Sequence, residues 1–111
     1  MQKLISVLSY LMMALGLVHI CFAFPLEADT YMLWFVGAGM AIIFAGLLNL
    51  VALDRGGSAF TITVAVMCNT AVFAGFLLAI PILNQPQVYI GMVLFLAAAI
   101  CFLLLRLKRT K

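Results

Sequence analysis

The sequence predicts an all-α integral membrane protein, an up-down-up-down bundle of four transmembrane helices. Three observations predict it. Hydrophobic residues make up 68% and charged residues 8% of the 111-residue chain, and its mean hydropathy of +1.34 lies far outside the range of a water-soluble domain. Four stretches, 4–24, 31–53, 59–80 and 88–105, contain no Asp, Glu, Lys or Arg. At ~1.5 Å of helical rise per residue, each reaches about the ~30 Å of a hydrocarbon core. The breaks between them hold helix-stopping residues: Pro25, the run from Asp54 to Ser58, and the run from Pro81 to Gln87. Connections this short leave no room for a separate soluble domain, so residues 1–111 are expected to form one transmembrane unit.

The first span follows Lys3. A cleaved signal peptide is disfavoured there, because a signal's apolar region runs for ~7 to 15 residues and Cys21 to Ala23 make a poor cleavage site. Pro25 is expected to stop this helix, and a short acidic loop with Glu27 and Asp29 follows. The second span, 31–53, opens with Tyr31, Trp34 and Phe35, aromatic rings suited to a membrane interface. Its small residues, including Gly37, Gly39, Ala41, Ala45 and Gly46, allow close helix approach. Asp54 to Ser58 reads as a turn. The third span ends at Pro81 and the polar loop Asn84 to Gln87, and the fourth runs into Arg106, Lys108, Arg109 and Lys111. Those cations complement a helix C-terminus and suit anionic headgroups.

Four crossings place both ends of the chain on one side. All six basic residues then fall on that side: Lys3, Arg55 and the four of the tail. By the positive-inside rule both termini are expected to be cytoplasmic. The net charge of +3 is not laid out as a stripe, so no nucleic-acid partner is indicated. The lipid bilayer is the expected partner, with self-association or a larger membrane partner as the further option. Cys21, Cys68 and Cys101 lie in three different spans without a CxxC pair, which indicates neither a redox motif nor a metal site.

Helical spacing assigns packing faces. Phe35, Gly39, Gly46 and Asn49 share one face of the second helix, as do Ser9, Gly16 and His19 on the first. Ala71, Gly75 and Ala79 form a small-residue ridge on the third, so tight packing of helices one to three is expected. The fourth helix is less patterned, and its Leu and Phe residues are expected to face lipid.

His19 is the only histidine and sits inside an otherwise apolar span, where a titratable group is a functional candidate by default. Threading the helices to its level places Gly37 and Gly75 nearby, which reads either as close packing or as a cavity. Trp34 and Tyr89 are expected on the same outer side, with Asn69 deeper, and these four form the candidate ligand-binding set. The competing reading is that a neutral His19 ring bonds a neighbouring helix. Asn69 and Asn49 read first as structural hydrogen-bonding groups, Asn49 toward the turn that follows it. A single histidine cannot supply bis-histidine haem ligation without a second chain, and no motif calls for haem, quinone or any other cofactor. No paired metal ligands, Ser/His/Asp set or phosphate loop is present, so the chain is not expected to be an enzyme.

The length and four-helix layout are similar to those of the small multidrug resistance family, but that family's membrane-embedded helix-1 glutamate has no counterpart here. Gly16, Leu17 and His19 with Phe24 and Pro25, followed by LWFxGxGxAxxFxGLLN over Leu33 to Asn49, resemble a group of small bacterial four-helix inner-membrane proteins. The resemblance covers the first half of the chain. It implies a bacterial cytoplasmic membrane and brings no activity with it. The leading expectation is therefore a non-enzymatic structural or accessory membrane subunit. The alternative is a binding or transport module for a small apolar or amphipathic molecule such as a quinone, lipid or drug, held in an outer pocket around His19.

Overall fold

The computed structural model describes all residues, Met1 to Lys111. The chain is all-helical, with α1 over Gln2–Cys21, α2 over Thr30–Leu53, α3 over Ala59–Ala79 and α4 over Pro86–Arg109. All four are long and apolar enough to cross a membrane. They pack into a bundle measuring 51 × 26 × 19 Å.

Local chemistry sets the helix ends. The Asp29 carboxylate accepts a hydrogen bond from the Met32 amide at 2.7 Å and caps α2. Ser58 and Thr61 form a reciprocal capping box at the start of α3. Pro86, expected in the preceding loop, is the first residue of α4, where its missing N–H costs nothing. The fourth helix also continues through Arg109 instead of ending near 105, because its last turn accommodates Arg106, Lys108 and Arg109 against the helix dipole. The first helix stops at Cys21, short of Pro25, so His19 lies in its last turn. Residues 22–24 make only irregular turns beyond it.

The turn after α2 is built on left-handed backbone. Arg55, Gly56 and Gly57 have φ of 49°, 84° and 70° in succession. Gly57 is required twice over, since a Cβ there would also run into the Ala52 carbonyl. Arg109 donates to the carbonyls of Gly56 and Gly57, the latter at 2.6 Å, which fastens the end of α4 to this turn.

Packing is uneven. The α1/α2 and α3/α4 pairs are extensive, while α1 on α4 and α2 on α3 meet over less surface. In the first pair, a Cβ on Gly16 would lie 2.7 Å from the Gly39 carbonyl oxygen, and one on Gly46 would lie 2.8 Å from that of Ser9. The backbones touch because these side chains are absent. In the second pair the Phe76 ring lies over Gly91, and Phe76 and Phe95 approach with ring centroids 5.7 Å apart. The core joining the pairs includes Ile5, Leu8, Met12 and Leu15 of α1, Ile42 and Ala45 of α2, and Phe95, Ala98, Phe102 and Leu105 of α4.

Two expectations about faces are corrected. Helix α4 buries more of its surface than any other helix, with Phe95 and Phe102 fully enclosed because aromatic residues seven apart return to one face, while Leu96, Leu103, Leu104 and Leu107 stay exposed as expected. Helix α3 buries the least. Its buried residues are Ile62, Ala65 and Asn69, and the ridge of Ala71, Gly75 and Ala79 is not packed against a neighbour.

Candidate functional site

Near the end of α2 and the middle of α3 the two helices are bridged by side chains. Asn69 Nδ2 donates to Asn49 Oδ1 at 2.7 Å, and Asn49 Nδ2 donates back to Asn69 Oδ1 at 3.2 Å. The remaining Nδ2 hydrogens are also used, toward the Ala65 carbonyl at 2.7 Å and the Met12 sulfur at 3.4 Å. Both amides are fully buried. Asn49 therefore does not bond the following turn; it lies opposite the middle of α3 and pairs there.

Beyond this bridge, toward the α1–α2 and α3–α4 loops, α2 and α3 part around a cavity of about 750 Å³. Helix α2 supplies Trp34, Phe35, Ala38, Ala41 and Ile42, and α3 supplies Val72, Gly75, Phe76, Leu78 and Ala79. His19 of α1, Val88 of α4, and Ile82 and Leu83 of the last loop complete the lining. Small residues make the space: a Cβ on Gly75 would meet nothing within 4 Å. The buried His19, Phe35, Ile42 and Val88 form the interior, whereas Trp34, Leu78 and Ile82, at 72%, 73% and 87% exposure, form a rim open to the surroundings. A cavity of this size accommodates a drug-sized molecule.

The electrostatics are simple. No charged residue lines the cavity, and twelve of its fourteen residues are hydrophobic. His19 is the one titratable side chain, and the Trp34 indole N–H at the rim is the only other polar side-chain group. His19 is 7% exposed and stacks on Phe35 with centroids 4.8 Å apart and planes 23° apart. Tyr31 packs on Phe35 in turn, with centroids 4.5 Å apart. This arrangement fixes the imidazole plane from α2. The His19 Nδ1 atom is buried with no hydrogen-bond partner, the only buried side-chain nitrogen or oxygen in the chain left so. Such an orphan is uncommon and calls for an explanation.

Of the four candidate ligand-binding residues, the structure brings His19 and Trp34 to the cavity and leaves Tyr89 and Asn69 out. The Tyr89 hydroxyl donates to Asn84 Oδ1 at 2.7 Å, which holds it on the outside of the α3–α4 connection. Asn69 is consumed by the Asn49 pair. Among the six residues assigned to packing, Gly16, Gly39 and Gly46 stand at backbone contacts and Asn49 at a side-chain contact. Gly37 and Gly75 do not pack, since added Cβ atoms at both would enter open space. Helical phase explains Gly37: it lies two residues from Phe35 and two from Gly39, on the side of α2 turned away from α1. Gly75 faces the cavity.

Val72, Phe76, Ile82, Leu83 and Val88 were not singled out from sequence. The small-residue spacing of Gly75 and Ala79 carried a usable signal, since small side chains make room for a ligand as readily as for a helix. No group of three or more His, Cys, Asp or Glu side chains comes together, and the three cysteines are free. The chain matches no protein family, no curated protein and no solved structure.

Proposed function

We propose that this chain is a small multi-pass membrane module that binds a small apolar or amphipathic molecule, taken from the lipid phase, in the cleft between α2 and α3. The observation that carries the reading is the 750 Å³ uncharged cavity with His19 inside it and an open apolar rim. In the membrane this rim faces acyl chains, so a lipid-soluble molecule enters sideways without crossing water. The orientation is up-down-up-down with both termini cytoplasmic, supported by the placement of all six basic residues at the termini and the α2–α3 turn. The cleft then opens in the outer half of a bacterial cytoplasmic membrane. The uncharged, almost wholly apolar lining supports binding or transfer as the role.

The test is native mass spectrometry of the full chain purified in mild detergent from its host membrane. One small lipid-soluble molecule per chain is expected on the wild type and markedly lower loading on Gly75→Leu, whose Cβ meets nothing within 4 Å and whose side chain takes up part of the cleft. Equal loading of the two, or no loading of either, overturns the proposal.

A second reading, a non-enzymatic accessory subunit, is favoured by the low burial of α3, whose free surface offers a partner helix a place to dock. Under that reading an apo chain co-purifies stoichiometrically with a larger membrane protein, and cysteine crosslinks run from α3. A chain that remains an apo monomer in lipid bilayers removes both readings.

A further inference from the structure

Binding in the α2–α3 cleft leaves open what is bound, and His19 narrows the choice. Resting on the binding reading above, we infer that the cleft selects a planar, uncharged ring bearing a carbonyl oxygen, of the quinone type, and that the His19 Nε2–H donates to that oxygen.

First, charge: the lining holds no Lys, Arg, Asp or Glu, so an ionic headgroup would lose its hydration without compensation. Phospholipid headgroups, fatty-acid carboxylates and cationic drugs are excluded from the interior on this ground.

Second, shape: Trp34, Phe35, Phe76 and His19 all line the cleft, and such aromatic walls favour a flat ring through edge and stacking contacts, the exposed Trp34 indole most of all. The rim at Trp34, Leu78 and Ile82 is wide enough in exposure to let an apolar tail leave toward lipid.

Third, hydrogen bonding: a neutral imidazole carries a proton on one ring nitrogen and accepts at the other. Nδ1 is buried and unpartnered, which leaves Nε2 as the ring nitrogen available to a molecule in the cleft that His19 lines. A proton on Nδ1 would create a buried orphan N–H, which folded proteins avoid more strictly than an unused acceptor. The tautomer assigned by this argument places the proton on Nε2, aimed at the cleft. The ligand must then supply an acceptor. A carbonyl does so completely. An alcohol or phenol would accept as well but leave its own O–H without a partner, because no other lining side chain offers an acceptor.

The test uses the full chain in lipid nanodiscs with two probes of nearly equal shape, 2-methyl-1,4-naphthoquinone and 2-methylnaphthalene. Binding is measured by calorimetry against empty nanodiscs and scaled to the lipid-phase concentration of each probe. Quenching of Trp34, the only tryptophan, reports quinone arrival at the rim. The quinone is expected to bind about tenfold more tightly than the hydrocarbon, the worth of about one hydrogen bond in a dry site. His19→Leu should abolish that preference while retaining hydrocarbon binding, and His19→Gln, which keeps an N–H donor, should restore part of it. The comparison on the wild-type chain stands alone if either variant fails to fold. Equal affinity for the two probes overturns the carbonyl selection while leaving apolar binding in place. Absence of saturable binding by either probe overturns both.

Discussion

Asn49 and Asn69 hydrogen-bond each other in both directions across the α2–α3 contact, at 2.7 and 3.2 Å, and tie the two helices together on the turn side of the cleft. Below this pair the two helices lead into the turn held by Arg109; beyond it lies the cleft. Neither residue lines the cleft. The pair's amide hydrogens are fully used, which makes it unsuited to ligand contact and suited to fixing helix register.

The first prediction concerns this pair. Asn49→Leu and Asn69→Leu each keep the side-chain volume but strand the partner amide in an apolar interior. Each is expected to destabilise the protein by about 1 to 2 kcal/mol. The double variant should cost less than the sum, with a coupling of roughly 0.6 to 1.7 kcal/mol, as found for hydrogen bonds between membrane helices. Unfolding in mixed detergent micelles measures this. Strict additivity would mean that the two amides do not interact.

The second separates glycines that a sequence treats alike. Gly39→Ala introduces a methyl group 2.7 Å from the Gly16 carbonyl oxygen, and rigid backbone cannot yield cheaply, so a loss of about 1 to 3 kcal/mol is expected. Gly37→Ala, two residues earlier, meets nothing and should be neutral or stabilise by up to about 1 kcal/mol through helix propensity. The same micelle titration reads both. A larger penalty at Gly37 than at Gly39 would contradict the α1/α2 packing described above.

The third concerns the bundle's basic end. Arg109 reaches two successive carbonyls, those of Gly56 and Gly57, with its forked guanidinium. Arg109→Ala should release the last turn of α4, seen as faster amide hydrogen exchange over residues 107–110 with little change in melting temperature. Arg109→Lys should not restore protection, because an ammonium is a point donor that cannot match the fork. Unchanged exchange in Arg109→Ala would show that the tail is held by helix propensity alone.

Much of the architecture was legible along the chain. Length, hydropathy and stop signals give four helices to within a few residues, because burying an unpaired backbone in an apolar phase is so costly that long apolar runs have few alternatives to helix. The α1 and α2 faces were legible for a related reason: Ser9, Gly16 and His19, and Phe35, Gly39, Gly46 and Asn49, recur at helical spacing and are all buried. The ends were less legible. Proline marks where a helix must not continue, yet Pro86 starts one and α1 stops before Pro25, because capping and first-turn geometry decide those boundaries.

The sequence by itself determined composition class, helix number, the clustering of charge and the identity of the lone histidine, all properties of local chemistry and solvent preference. Only the tertiary structure decided which small residues close a contact and which open a space. Gly39 and Gly75 carry the same side chain, but one has a carbonyl against it and the other has the cleft. It also decided that Asn69 turns to Asn49, that Tyr89 turns to Asn84, and that His19 is left with a buried nitrogen and no partner. These outcomes depend on the rotation and separation of neighbouring helices. Those are set jointly by every residue in the interface, and no single helical repeat encodes them.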